Sequence, residues 1–194
     1  MNKTRLEAFS DGVFAIIITI MVLELRAPKG VSWDAVKPLL PAFFSYLLSF
    51  VFVAIYWGNH HHLMHTARRV TAGIMWANMH LLFWLSLIPF ATAWMGVNNF
   101  DSIPVAVYGA LLLPCGISYT LLSNAIKKTY KEETRLTTAI EKGAVKGKWS
   151  VALYALSVPA ALFVHPGLSA AMFITVATIW LVPSRDIEKA LSDD

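Results

Sequence analysis

The chain has 194 residues, of which 57% are hydrophobic and 14% are charged, and its formal net charge is +4. A soluble domain of this length could not bury that much apolar surface, so the composition excludes an ordinary soluble protein. The basic residues lie between or beside long apolar blocks, where the headgroups of anionic lipids are found. We therefore interpret the positive charge as a sign of membrane topology, and we expect a lipid bilayer rather than nucleic acid as the partner.

The apolar residues fall into six blocks, which are Phe9–Leu25, Leu39–Trp57, Ile74–Val97, Ile103–Leu122, Trp149–Val164 and Gly167–Val182. A helix needs roughly 20 apolar residues to cross the bilayer core. The last two blocks are short and are joined by His165 and Pro166, which predicts a tight helical hairpin near the outer surface. The sequence thus predicts an all-α polytopic membrane protein with six transmembrane helices in one domain, 1–194.

The distribution of Lys and Arg predicts the orientation of these spans. Most of the 16 basic residues fall on one side of the predicted membrane, namely Lys3, Arg5, Arg68, Arg69, Lys127, Lys128, Lys131, Arg135, Lys142, Lys146, Lys148, Arg185 and Lys189. The other side holds Arg26, Lys29 and Lys37. Because cytoplasmic segments collect Lys and Arg, both termini are expected in the cytoplasm.

Ionisable and amide side chains are concentrated in the first three spans. They are Arg5, Glu7, Asp11, Glu24, His60, His61, His62, His65, Asn78 and His80. Such groups are costly inside a membrane and usually face a bundle interior or water. The last three spans have no charged residue in their cores. We therefore place the function in spans one to three and interpret the others as a scaffold.

The first span has an apolar stripe with one hydroxyl in it. At about 100° per residue, Ile16, Thr19, Ile20 and Leu23 fall within an arc of about 100°. An ordinary helix-packing stripe would look the same. Ser10 and Asp11 project away from the stripe, which predicts that they face the bundle of their own subunit. A buried carboxylate needs partners, and the expected partners of Asp11 are the histidines of the second span, Trp76 and Asn78.

Three short motifs resemble the transmembrane protein 175 family of potassium channels. The first is Arg5-x-x-x-Phe9-Ser10-Asp11-Gly12, which is followed by Val13-Phe14-Ala15-Ile16. The others are Tyr56-Trp57-x-Asn59-His60-His61, and Trp76-x-Asn78 with Ser86-Leu87-Ile88-Pro89-Phe90. The resemblance covers spans one to three, and beyond residue 100 it is limited to topology and length.

This resemblance implies a bacterial subunit with one six-span repeat, assembled as a homotetramer in the cell membrane around a central pore. The first span would line the pore, with the constriction at Ile16, Ile20 and Leu23 and the hydroxyl of Thr19 between the apolar layers. Potassium would be the permeant ion, with no cofactor and no enzymatic activity. The motif residues and their supporting network would be Arg5, Phe9, Ser10, Asp11, Trp57, His60, His61 and Asn78.

Ion selection in such a pore would differ from that of a carbonyl filter. The sequence has no TVGYG-like run and no Gly-rich re-entrant segment. The groups left to select ions are a ring of apolar side chains and a ring of hydroxyls. Glu24 lies at the outer end of the first span, where four copies could form an acidic ring that concentrates cations. A solvated helix end is the equal alternative for this residue.

The histidines at the end of the second span leave two interpretations open. His61 and His65 are four residues apart, so one helical face could present both to a metal ion. Zinc usually takes three or four protein ligands, and no carboxylate or cysteine cluster accompanies the pair. Hydrogen bonding to Ser10 and Asp11, or solvation at the membrane edge, is therefore the favoured interpretation. Proton sensing also stays open, since histidine titrates near neutral pH.

The sequence is compatible with three functions to different degrees. A passive potassium channel of the leak type is the favoured one. A proton-coupled secondary transporter would use Asp11 and the histidines as a relay, but neither paired broken helices nor an inverted repeat is visible. A membrane enzyme with a histidine-bound metal is disfavoured because all the histidines in question come from one segment.

Overall fold

In the computed structural model, residues 2–130 and 135–181 are described. They form seven α-helices and two short 3-10 turns. The helices are α1 (Lys3–Leu23), α2 (Leu40–Thr66), α3 (Ala72–Leu85), α4 (Ile88–Val97), α5 (Ser102–Lys127), α6 (Arg135–Phe163) and α7 (Pro166–Leu181). The 3-10 turns, Trp33–Ala35 and Lys37–Leu39, lead into α2. The basic residues Lys131, Arg185 and Lys189 lie outside the described part of the chain.

The all-α polytopic architecture is confirmed. Four helical segments of the described chain are long and apolar enough to cross a membrane: Lys3–Leu23, Trp33–Thr66, Ala72–Val97 and Ser102–Lys127. Helix α7 is a shorter apolar helix, and α6 combines a charged first half with an apolar second half. The turn at Val164 and His165 joins these two helices, as the predicted hairpin requires.

The third span is broken rather than continuous. Helix α3 ends at Leu85, and α4 restarts at Ile88 with Pro89 in its first turn, where its missing N–H costs least. A proline inside an apolar span predicts a kink at this point. Pro114 and Pro159, by contrast, lie inside the uninterrupted helices α5 and α6.

Helix α5 lies at the centre of the described helices. Helices α3, α4, α6 and α7 pack directly against α5, whereas α1 lies against α2, α3 and α4 at one side. At the contact between α4 and α2, Gly96 approaches Ala42 so closely that a Cβ at position 96 would lie 2.7 Å from the Ala42 Cα. Small residues permit this kind of close approach between membrane helices. Helix α1, at the side of these helices, keeps one face free of the rest of the chain.

Candidate functional site

Helix α1 has one buried and one exposed face. Leu6, Ser10, Phe14, Ile17 and Met21 are buried against the neighbouring helices. The opposite face carries the predicted constriction residues, and the exposed fractions of Ile16, Ile20 and Leu23 are 60%, 44% and 74%. The helical periodicity therefore placed Ile16, Ile20 and Leu23 on one exposed face, away from the buried Ser10. This stripe contacts little of the rest of the chain.

Thr19 lies on the same exposed face as these apolar residues. Its Oγ1 donates a hydrogen bond to the carbonyl oxygen of Ala15 at 2.8 Å. This bond uses the hydroxyl proton inside the helix, so the lone pairs of Oγ1 are left for a donor or a cation on the exposed side. Arg5, Phe9 and Glu24 are exposed as well.

Asn78 of α3 connects α2 to α1 through a buried hydrogen-bond chain. His60 Nε2 donates to Asn78 Oδ1 at 2.7 Å, and Asn78 Nδ2 donates to Ser10 Oγ at 2.9 Å. Ser10 in turn donates to the carbonyl oxygen of Leu6 at 2.8 Å. The ring of His60 also packs against Phe14, with 5.5 Å between the ring centroids. Three residues of the sequence motifs thus satisfy one another and hold three helices together.

Asp11 has a different partner from the one that the sequence suggested. The indole Nε1 of Trp57 donates to Asp11 Oδ1 at 2.9 Å, so neither a histidine nor Asn78 fills this role. Asp11 is also exposed rather than turned into the bundle. The prediction that it faces the interior is therefore wrong, because α1 lies at the margin of the helix bundle. Trp76, the other expected partner, is itself exposed.

The histidines of α2 lie in two environments. His60 is buried in the Asn78 chain, whereas His61 and His65 are exposed, with their ring centroids 4.7 Å apart. His61 also packs against Trp57. No group of three or more His, Cys, Asp or Glu residues able to hold a metal occurs in 2–130 or 135–181. Lys3 donates to the carbonyl oxygen of His65 at 2.9 Å, which brings the start of α1 beside the end of α2.

His80 of α3 bonds to the predicted scaffold half of the protein. Trp84 Nε1 donates to His80 Nε2 at 3.1 Å, so a neutral His80 carries its proton on Nδ1. His80 Nδ1 lies 2.8 Å from Ser118 Oγ of α5, and the Ser118 hydroxyl donates to the carbonyl oxygen of Pro114. His80 thus joins α3 to α5.

A buried hydroxyl chain was missed at the sequence level. Thr92 Oγ1 of α4 lies 2.6 Å from Ser49 Oγ of α2, and Ser49 Oγ lies 2.9 Å from the hydroxyl of Tyr108 in α5. All three side chains are buried. The available signal was a polar side chain inside each of three apolar blocks, since such groups need partners in a membrane. The sequence alone gave no means of pairing them.

Comparisons with known proteins agree with these motifs. The model of the family described as endosomal/lysosomal potassium channel TMEM175 matches residues 5–89. A protein of Chryseobacterium sp. (strain P1-3) named as a potassium channel is 49% identical over 194 residues, which is 100% of both chains. The human protein named endosomal/lysosomal proton channel TMEM175 is 34% identical over 103 residues, which cover 47% of this chain and 20% of that protein.

A solved structure extends the likeness to the whole fold. The crystal structure of a lysosomal potassium-selective channel TMEM175 homolog from Chamaesiphon minutus matches with a TM-score of 0.80. The match covers 94% of this chain and 97% of the other at 24% sequence identity, so it bears on the fold alone. The relative that matches over its whole length and the family model over residues 5–89 together assign the sequence, and the chain belongs to the TMEM175 family.

Proposed function

We propose that this protein is a potassium-selective channel of the leak type, in which four copies place the exposed face of α1 around a central pore. Ile16, Ile20 and Leu23 would form the constriction, and Thr19 would supply a ring of hydroxyls within it. The family is one of channels rather than enzymes, and the full-length relative is named as a potassium channel. We infer that potassium is the permeant ion and that the channel works without a cofactor.

The observation that carries the proposal is the composition of the exposed face of α1. Besides the bulky residues it presents small ones, Ala8, Gly12 and Ala15, which are all exposed. A Cβ at Gly12 would meet nothing within 4 Å in the subunit, so packing inside the chain does not require glycine there. Small residues favour close helix–helix approach in membranes. This supports contact between α1 helices of different subunits.

The exposed face of α2 provides a contrast with α1. It carries large side chains, among them Phe43, Phe44, Leu47 and Phe50. A lipid-facing surface has no need of small residues or hydroxyls, and α2 fits that description. The face of α1, with Thr19 and Gly12 among aliphatic residues, fits a pore and a subunit contact better.

The chemistry of the stripe suggests how potassium would be preferred. Apolar side chains cannot replace an ion's hydration shell, so a tight apolar ring penalises sodium, which holds its water more strongly. The lone pairs of Thr19 Oγ1 would then partly coordinate the ion that enters. The resulting preference should be modest, because the pore lacks a carbonyl filter with close oxygen contacts on every side.

We further infer that the protein lies in the bacterial cell membrane with both termini in the cytoplasm. The excess of Lys and Arg at the predicted inner side supports this orientation. Accessibility tags at residue 2, between α5 and α6, and at residue 194 should all be protected in intact cells. A tag between α5 and α6 that reacts from outside would overturn the orientation.

Flux through purified protein in liposomes tests the function. A channel of this kind dissipates a potassium gradient without any coupled ion. It should dissipate a sodium gradient more slowly. Transport that requires a proton gradient in order to move potassium would identify a transporter and overturn the proposal. Absence of flux from correctly assembled protein at any imposed voltage would overturn it as well.

Passive proton permeation is the second candidate, favoured by the name of the human relative. The hydrogen-bond chain from His60 through Asn78 to Ser10 would be its natural route. That chain ends, however, on the carbonyl oxygen of Leu6 in the same part of α1. It therefore supports a structural role, and a pH-sensitive dye in the same liposomes separates proton flux from potassium flux.

A further inference from the structure

A broad basic cleft opens between α3 and α5, at the end of the subunit where α2 terminates. It is open to solvent and has a volume of about 780 Å³. Its lining includes three basic residues, here called the rim cations, Arg69, Lys127 and Lys128, together with Thr71, Asn124 and Leu121. Neither the proposed pore stripe nor the Asn78 chain contributes to this cleft.

Two of the three rim cations are exposed. Lys127 forms an ion pair with Glu141 of α6. Arg69 and Lys128 are exposed, and within 2–130 and 135–181 neither forms an ion pair. Two exposed positive charges at the mouth of one cleft favour an anion.

The two walls of the cleft are fixed to each other. Tyr130, which follows α5, donates its hydroxyl proton to the carbonyl oxygen of Thr66 at the end of α2. The guanidinium carbon of Arg68 lies 4.8 Å from the centroid of the Tyr130 ring, in a cation–π contact. These contacts hold the α2–α3 connection, and Arg69 with it, beside the end of α5. Contacts within the protein therefore fix the relative positions of the rim cations.

Beyond Leu121, exposed apolar side chains continue along the two helices that border the cleft. On α5 the exposed residues Ile117, Leu121 and Asn124 follow one another toward Lys128 at intervals of three or four residues, which places them on one helix face. Exposed Phe83 lies on the facing helix α3. The hydrogen bond between His80 and Ser118 shows that the two helices are adjacent at that depth. A ligand with a charged head and an apolar tail matches this arrangement, in which basic residues at the cleft are followed by apolar residues along α5.

We propose that the cleft binds the headgroup phosphate of an anionic phospholipid, with the glycerol and acyl chain lying along Leu121 and Ile117. Basic pockets between membrane helices bind anionic headgroups in this way. A free phosphate ion shares the headgroup chemistry but would leave the apolar surface unused. The position of the cleft at the end of the membrane-spanning helices therefore favours the lipid.

Native mass spectrometry of the full chain in a neutral detergent tests this proposal, with phosphatidylglycerol and phosphatidylcholine as probes. The wild type should retain phosphatidylglycerol at lower concentration than phosphatidylcholine. The double variant Arg69→Gln/Lys128→Gln should bind phosphatidylglycerol about 30-fold more weakly, since each basic residue near an anionic surface contributes about a fivefold factor. The variant Arg69→Lys/Lys128→Arg should keep most of the affinity, which separates a loss of charge from a loss of folding.

The matched control removes two charges from outside the cleft. Lys146→Gln/Lys148→Gln, on α6, should keep the affinity for phosphatidylglycerol within about twofold. An equal loss in both double variants would mean that binding follows diffuse charge, and the cleft proposal would fail. Inorganic phosphate is the second probe, in lipid-free detergent. If it bound with comparable affinity and displaced phosphatidylglycerol, the ligand would be a free phosphate, and the proposal of a lipid would be overturned.

Discussion

The carboxylate of Asp11 in α1 accepts a hydrogen bond from the indole of Trp57 in α2, at 2.9 Å. Both residues belong to the sequence motifs of the family, although 46 positions separate them. The contact ties the helix that presents the proposed pore face to its neighbour in the same subunit. The contribution of this hydrogen bond to the free energy of unfolding can be measured without recording ion flow.

We predict that Asp11→Ala weakens folding or assembly more than it alters permeation. Loss of a hydrogen bond to a charged group should reduce the free energy of unfolding by about 1–2 kcal/mol. Trp57→Phe keeps an aromatic ring and should cost a similar amount, while the double variant should cost less than the sum of the two. Thermal unfolding in detergent measures these differences. Strict additivity, or altered selectivity with full stability, would refute the structural role.

Asn78 should be the least replaceable member of the buried hydrogen-bond chain. Asn78→Ala removes the partner of His60 and of Ser10 at once and leaves polar groups unpaired in a buried site, which should cost about 2–4 kcal/mol. Asn98→Ala is the matched control, because Asn98 is exposed and its side chain donates to the carbonyl oxygen of Trp94 in the same helix. Its effect on the unfolding temperature should be small. An Asn78→Ala protein as stable as the wild type would show that the chain does not hold the helices together.

Gly96 should not tolerate even a methyl group. In Gly96→Ala the new Cβ would lie 2.7 Å from the Ala42 Cα and would also collide with the Ser45 hydroxyl, so α2 and α4 must move apart. We expect a loss of about 1–3 kcal/mol in the free energy of unfolding. Gly58→Ala in α2 is the control, since its Cβ would meet nothing within 4 Å and alanine favours the helix by about 0.5–1 kcal/mol. Equal stability of the two variants would contradict the close contact.

The proposed constriction is tested by bilayer recordings of three variants. Ile16→Asn and Leu23→Ala should wet or widen the pore, raising the current and lowering the preference for potassium over sodium. Thr19→Ala should lower that preference while leaving assembly intact, because it removes a hydroxyl and one methyl group. Ile174→Ala, at an exposed apolar position on α7, should change neither quantity. Wild-type selectivity in all three α1 variants would place the pore elsewhere.

Glu24 provides a test of the outer mouth. It directly follows α1, is exposed, and lines an open cleft of about 910 Å³ that also contains Arg26. If four copies form an acidic ring, Glu24→Gln should lower the conductance most at low salt, where the Debye length is about 30 Å at 0.01 M against about 3 Å at 1 M. Conductance measured over that range gives the answer. A decrease that is the same at every salt concentration, or no decrease, would indicate a merely solvated helix end.

Local sequence order was enough to predict several features of this protein. The apolar blocks predicted the membrane helices and the hairpin between α6 and α7, since the length of an apolar run is what the bilayer selects. Helical periodicity placed Ile16, Ile20 and Leu23 on a common face, and that face is exposed in the subunit. These features depend on residues that are close in the sequence, and helical periodicity can be calculated from the order of those residues alone.

The pairing of polar side chains between helices was decided by the tertiary structure alone. Asp11 bonds to Trp57 because α1 lies at the margin of the bundle beside α2, a position that no periodicity encodes. Ser49, Thr92 and Tyr108 meet because the break before α4 and the close contact at Gly96 bring three helices together. A membrane span must satisfy its polar groups, so the sequence requires that partners exist. Which partners they are depends on helix positions and rotations, and only packing among the helices sets those.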